Sequence, residues 1–256
     1  MTTTLLTPAD RTVEPVRPQR LPRLLSVELR KLVDVRSGRL LLALSVLIAV
    51  AGLAWMLIKI KEPSTFGDFA GVLQGVSMVL PLIGLLSMTA EWTQRTALST
   101  FTLSPRRGRV LLAKFVASLI LALAVFVVVM ALVLAATYLA AAIHGYPADL
   151  DGMWNTMRSM GIALVLQVLM AAGIGALLAQ TAAAVAAFLL APTVVTVLAV
   201  QLLGDNSKWI DVFSAYGRLA SDHPWQDLGA TCTAVGLWVL LPLAVGVVRS
   251  LRREVK

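Results

Sequence analysis

Charged residues are missing from long stretches of this chain, and those stretches have recurring lengths. Uncharged blocks run from Leu40 to Ile58, from Phe69 to Ala90, from Phe115 to Ile143, from Ser159 to Gly204 and from Leu228 to Val248. A helix needs about 20 apolar residues to cross the hydrocarbon core of a bilayer. Four blocks suit one crossing each. The Ser159–Gly204 block suits two, so it reads as a tight helical hairpin that turns at its most polar central step, Gln180-Thr181. The pattern predicts an all-α polytopic membrane fold with six transmembrane helices, at about 40–60, 69–90, 112–141, 159–179, 183–203 and 228–248. Barrel strands would alternate polar and apolar over about ten residues. A helix of a soluble core would keep one polar face. The blocks do neither.

The segments between the blocks carry their own patterns. Residues 22–36 read PRLLSVELRKLVDVR, with Leu21, Leu25, Leu29 and Leu32 at helical spacing and Arg23, Arg30, Lys31 and Asp34 opposite. This predicts an amphipathic lead helix lying in the membrane interface, with Leu25, Glu28, Leu29, Arg30, Lys31 and Leu32 as its characteristic residues. It serves as an anchor alone, or as an anchor that also meets a partner. In the second block, Gly71 and Gly75 form a small-xxx-small step that permits close helix approach, and Pro81 should kink the helix. The third block exceeds one crossing, so its helix must tilt or project. Gln167 and Gln201 either pair across helices, the favoured reading, or line a pathway. Residues 205–227 contain Trp209, Ile210, Val212, Phe213 and Tyr216, which predict a short outer or re-entrant helix before the last span. The 91–114 loop has room for a short helix over about 94–103, a break at Ser104-Pro105 and the basic cluster Arg106-Arg107-Gly108-Arg109.

Charge adds orientation. Only 14% of the 256 residues are charged and 58% are hydrophobic, whereas a soluble domain carries about 25% charge. The 22 Lys and Arg residues split 17 to 5 between the two sides that six spans define. The rich side holds the N-terminal tail, the 91–114 loop, the 180–181 turn and the C-terminal tail. Basic residues favour the cytoplasm, so both termini are expected there. The net charge of +8 is thus explained by span flanks and anionic lipid, and no nucleic-acid partner is expected. Residues 1–21 are polar, with Pro8, Pro15 and Pro18. They read as a disordered cytoplasmic tail rather than a signal peptide, ahead of a single transmembrane domain over 22–256. Cys232 stands alone in the last span and forms no internal disulfide.

The chain carries no G-x-x-x-x-G-K-[ST] loop, no H-E-x-x-H and no paired cysteines. Its two histidines, His144 and His223, fall in outer loops. No predicted span holds an Asp or Glu, which disfavours an ion-coupled carrier. The expectation is a protein that is not an enzyme, binds no cofactor of its own and takes its energy from elsewhere.

Glu91, Thr96, Leu98, Leu103, Pro105, Arg107, Leu111, Leu112 and Lys114, preceded by Glu28, Leu29, Lys31 and Arg36 in the lead segment, resemble the permease of type-2 ATP-binding-cassette (ABC) transporters, the small bacterial six-span kind. Arg95 stands where such permeases often carry Gly. The resemblance implies a multi-pass subunit of the bacterial inner (plasma) membrane. It implies an exporter of a hydrophobic or amphiphilic substrate such as a drug, antibiotic or lipid. It also implies two partners, a cytosolic ABC ATPase dimer that binds ATP and Mg, and a second permease chain, identical or paralogous. The coupling surface would be Glu91, Arg95, Thr96, Leu98, Phe101, Leu103, Pro105, Arg106 and Arg107. The pathway between the second and fifth helices would involve Gln74, Met78, Pro81, Pro192 and Gln201. A non-transporting scaffold or assembly subunit is the alternative, with an intramembrane enzyme behind it.

Overall fold

The computed structural model describes residues 21–60, 63–93, 107–221, 223 and 225–252. Six of the described segments are helical, long and apolar enough to cross a membrane, which marks a multi-pass membrane protein. They are Arg36–Lys59, Phe66–Thr93, Arg107–His144, Met153–Leu178, a fifth beginning at Thr181, and Leu228–Arg252. The fifth runs to Leu203 before a 3-10 turn over Gly204–Trp209. The third helix has 38 residues. At 1.5 Å rise per residue it is about 57 Å long, well beyond the thickness of a hydrocarbon core, as its sequence required.

Local chemistry explains where the helices stop. The lead helix, Leu21–Asp34, ends at an extended Val35, and the first span begins at Arg36. Gly38 makes this junction possible. A Cβ on it would lie 1.8 Å from the carbonyl oxygen of Leu32. The second span is built from three helical pieces, Phe66–Ala70, Leu73–Val79 and Leu82–Thr93. It starts with a capping box between Thr65 and Asp68, and its Phe66 N–H donates to the Asp149 carbonyl at 2.9 Å. Its last interruption falls at Pro81, whose missing N–H cannot continue the ladder.

The hairpin turns between Ala179, which is left-handed at φ 53°, and an extended Gln180. That is the step expected from the sequence, shifted by one residue. The sixth span holds a π turn over Gly236–Leu240. Pro242 follows it, and its ring would press on the Trp238 carbonyl in a regular α-helix. The wider turn relieves that contact. The expected short helix before the last span is Val212–Ala220.

Helix ends group at two ends of the bundle. The hydroxyl of Thr181 bonds to that of Thr89 at 2.9 Å, and Ser250 Oγ reaches the Ala176 carbonyl at 3.4 Å. The 179–180 turn, the close of the second span and the close of the sixth therefore share one end, together with the lead helix. Among the described residues this end carries Arg36, Arg39, Arg107, Arg109, Arg249 and Arg252, and it is called the basic end below. The short helix Val212–Ala220 sits at the far end.

The fourth span is the central pillar. It packs against the second and sixth spans, and glycine makes both approaches possible. A Cβ on Gly84 would come within 2.8 Å of the Val168 carbonyl oxygen, and one on Gly175 within 2.8 Å of the Leu85 carbonyl oxygen. A Cβ on Gly173 would meet the Leu243 nitrogen at 2.8 Å, and one on Gly246 the Gly173 oxygen at 2.7 Å. The Gly71-Gly75 step contributes less than its motif suggested. Gly75 does face Ile48 of the first span, but Gly71 meets only the Asp68 carbonyl of its own segment. The break between the first two helical pieces turns the two glycines away from one common face.

Because nothing flexible can yield at the Gly246–Gly173 crossing, Gly246→Ala should destabilise the bundle by about 1–3 kcal/mol, the usual cost of overpacking. Gly236 has open space around it, so Gly236→Ala should leave stability unchanged or slightly raised. Thermal unfolding of both variants in one detergent checks the contrast.

Candidate functional site

Two features stand out, one at each end of the second span. The first begins on the lead helix. Its buried positions are Leu24, Glu28 and Leu32, spaced one turn apart, so the middle of the buried stripe is a carboxylate. Leu25, Leu29 and Lys31 are half-buried, and Arg30 is exposed. The buried face is therefore rotated from the expected Leu21–Leu25–Leu29–Leu32 line: Leu32 is buried as expected, but Leu21 is exposed. The reason is the partner across the gap. Lys114, two turns into the third span and buried, donates to Glu28 Oε2 at 2.8 Å.

Glu91 completes the arrangement from the last turn of the second span. Lys114 Nζ lies 3.0 Å from Glu91 Oε1. Lys31 Nζ lies 3.0 Å from Glu91 Oε1 and 3.0 Å from Glu28 Oε1. The four side chains thus form a closed ring of alternating charge, Glu28–Lys31–Glu91–Lys114, in which each ion has two opposite neighbours and the net charge is zero. Expecting no carboxylate within a span needs correction here. The second helix continues past its uncharged block to Thr93 and carries Glu91 with it, buried, because two ammonium groups compensate it. Burial works against the charge of Lys31, but Glu28 and Glu91 outweigh it and raise the Lys31 pKa above its ordinary 10.5. A raised lysine pKa stabilises the fold fully below the ordinary value and loses that contribution only as pH climbs through the raised one. Lys31 therefore keeps its charge throughout the neutral range.

The ring joins three elements, the lead helix, the second span and the third span. In the chain, Glu91 lies just before residues 94–106 and Lys114 just after them, and the lead helix bridges the two. The expected coupling residues Arg95, Thr96, Leu98, Phe101, Leu103, Pro105 and Arg106, and the short helix expected over 94–103, lie outside the described residues. Arg107 opens the third span. A hydroxyl chain, Thr93–Thr181–Thr89, ties the same end of the second span to the start of the fifth.

The second feature is a cavity of about 420 Å³ toward the far end. Gln74 and Met78 of the second span, Gln167 of the fourth and Pro192 of the fifth line it, with Phe213 and Tyr216 of the short helix. Three of the five expected pathway residues, Gln74, Met78 and Pro192, are thus brought to one space. Pro81 is buried at the helix break, and Gln201 lies further along the fifth span, exposed; neither lines this cavity. Pairing of Gln167 and Gln201 across helices does not occur among the described residues, because Gln167 faces open volume instead and Gln201 faces outward.

The short helix is held firmly over the cavity. Asp211 caps it, accepting from the Phe213 N–H at 2.9 Å, from Thr196 Oγ1 of the fifth span at 2.8 Å and from the Ser214 hydroxyl. Arg218 donates to Thr231 Oγ1 of the sixth span at 2.7 Å. Trp238 Nε1 donates to the Ile210 carbonyl at 2.8 Å. Among the described residues no group of three or more His, Cys, Asp or Glu gathers as a metal site.

From the sequence, Lys31 belonged to the polar side of the interfacial lead helix and Lys114 to the entry of the third span. The missed signal was Glu28 in the Leu24–Leu32 stripe, an acid where a buried face should be apolar. Glu28 and Lys114 are both at most 6% exposed along their side chains. Lys114→Met alone should therefore cost about 3–5 kcal/mol, since it leaves buried carboxylates short of a partner. Glu28→Leu combined with Lys114→Met removes one charge of each sign and should cost clearly less than the sum of the single changes. A double-mutant cycle of unfolding in detergent measures that coupling.

No family model matches the chain, and no curated protein and no solved structure matches it either.

Proposed function

We propose that this chain is the membrane-spanning permease subunit of an ABC exporter. It sits in the bacterial inner membrane with both termini cytoplasmic, and it moves a hydrophobic or amphiphilic substrate outward. ATP and Mg are bound by a separate cytosolic ATPase dimer, and a second permease chain completes the translocation unit.

The observation that carries this reading is the buried ring Glu28–Lys31–Glu91–Lys114. Two of its members, Glu91 and Lys114, flank in the chain the stretch 94–106, where the resemblance places contact with an ATPase. Glu28, Glu91 and Lys114 are buried, and losing both partners of any one of them would strand its charge, so a force that reaches the ring acts on all three of its elements. The lead helix, the close of the second span and the start of the third must move together. The second span then carries the movement along its length. Its far half holds Gln74 and Met78 at the cavity, and Pro81 is a joint between the halves. The glycine-packed fourth span supplies a stationary wall. In this mechanism ATP binding draws the two ATPases together and their contacts shift the ringed unit. The cavity then changes access from one side of the membrane to the other.

Purification of the tagged chain from its native membranes in a mild detergent should bring down an ATPase subunit in stoichiometric amount, with ATP hydrolysis in the complex. Replacing Arg106, Arg107 and Arg109 together by Ala should leave insertion intact and reduce the coupling of hydrolysis to substrate movement in reconstituted vesicles by about tenfold or more, the scale of 1.4 kcal/mol. A preparation that keeps its fold and carries no ATPase overturns the proposal and favours a scaffold subunit.

A further inference from the structure

We infer that the 420 Å³ cavity is a binding site for an uncharged amphiphile whose head group both donates and accepts hydrogen bonds, such as a primary carboxamide or an alcohol. This deepens the exporter reading by naming the substrate class of its pathway. It rests on that reading for transport but not for binding.

The size fits a small ligand, since such sites span about 300–1,000 Å³. The lining holds no Asp, Glu, Lys, Arg or His. A charged head group would enter without a counter-ion among the lining residues, at a cost that apolar contacts do not recover. The wall is nonetheless not purely apolar. Gln74 and Gln167 present carboxamides, and among the described residues neither side chain makes a hydrogen bond. Each carboxamide offers two donors and one acceptor oxygen. The buried Tyr216 hydroxyl reaches only the Met170 sulfur, at 3.9 Å, and a thioether is a weak acceptor. Pro192 has no N–H, so the carbonyl of Phe188, another lining residue, loses its helical donor.

Donors and acceptors are therefore both in surplus at one apolar space. A hydrocarbon chain alone, such as a lipid tail, would leave all of them unpaired. A neutral head group with both functions satisfies them, and the rest of the molecule lies against Met78, Leu164, Met170 and Phe188. Methionine adapts its shape to varied chains, so the head group rather than the tail is the selected part. Gln74 and Gln167 are then the specificity-determining residues.

The test uses the full chain in phosphatidylcholine nanodiscs and three radiolabelled probes with tails of equal length: dodecanamide, dodecyltrimethylammonium and dodecanoate. Dodecanamide should bind saturably, and about tenfold or more tighter than either charged probe. Gln74→Leu with Gln167→Leu should weaken dodecanamide about tenfold, as loss of hydrogen bonds to the head group requires. Gln201→Leu, outside the cavity, should leave it unchanged. Gln167→Glu at alkaline pH should move the preference toward dodecyltrimethylammonium, a gain that misfolding cannot produce. Equal binding of a charged probe by the unaltered chain, unsaturable partitioning alone, no loss in the double leucine variant or no gain in Gln167→Glu would each overturn the inference. No ATPase is present in this assay. Failure here leaves the exporter proposal standing, and absence of an ATPase partner leaves the binding site standing.

Discussion

A ring of four charges at the basic end, three of them buried, governs how the elements around it are arranged. Glu28, Glu91 and Lys114 are buried while Lys31 stays 42% exposed, and the buried three are tolerable only with opposite charges beside them, because any one alone would face a large desolvation cost. The ring therefore demands that the lead helix, the end of the second span and the second turn of the third span meet at one point. That demand rotates the lead helix until Glu28 faces inward. It also closes the first sharp junction, since Gly38 must slide beneath the Leu32 carbonyl for the lead helix to fold back. Buried ion pairs contribute more to geometric uniqueness than to net stability in some systems, and that use fits a site where three elements must keep one register.

Away from the ring, cohesion has a different source. Lipid tails are as apolar as the helices, so burial of apolar surface drives little association within a membrane. Close backbone approach takes over, and glycine supplies it where the fourth span crosses the second and sixth. The result is an uneven body. The fourth span is fixed on two sides by backbone contact, while the second span is divided by Pro81 and holds the ring at one end and the cavity at the other. Under the proposed reading this division has a purpose: one half of the second span receives force and the other half shapes the substrate site. The short helix, pinned through Asp211, Arg218 and Trp238, forms one wall of the cavity.

Much of the fold was legible without coordinates because membrane spans are written as composition and length. The six crossings, the turn near Gln180-Thr181, the break at Pro81 and the short helix around Val212 each follow from a local rule about charge, proline or aromatic residues. The site was only partly legible. Gln74, Met78 and Pro192 were expected at a pathway through the family resemblance, and they do share one space, but Gln201, expected on the same ground, faces outward. Glu91 and Lys114 drew notice as markers of a loop, while their mutual contact, some two dozen residues apart in the chain, left no local trace.

The amino-acid sequence by itself determined that the chain crosses a membrane six times, with its basic residues gathered on one side. Those properties depend on each segment's own transfer between water and lipid. Tertiary structure alone decided which charges are buried together, which face of the lead helix turns inward and which intramembrane glutamines meet in a cavity. Each of these depends on the distance between residues far apart in sequence. Helix periodicity gives the direction of a side chain around its own axis, but the rotation of that axis is set by its neighbours, here by the ring of Glu28, Lys31, Glu91 and Lys114 and by the glycine crossings of the fourth span.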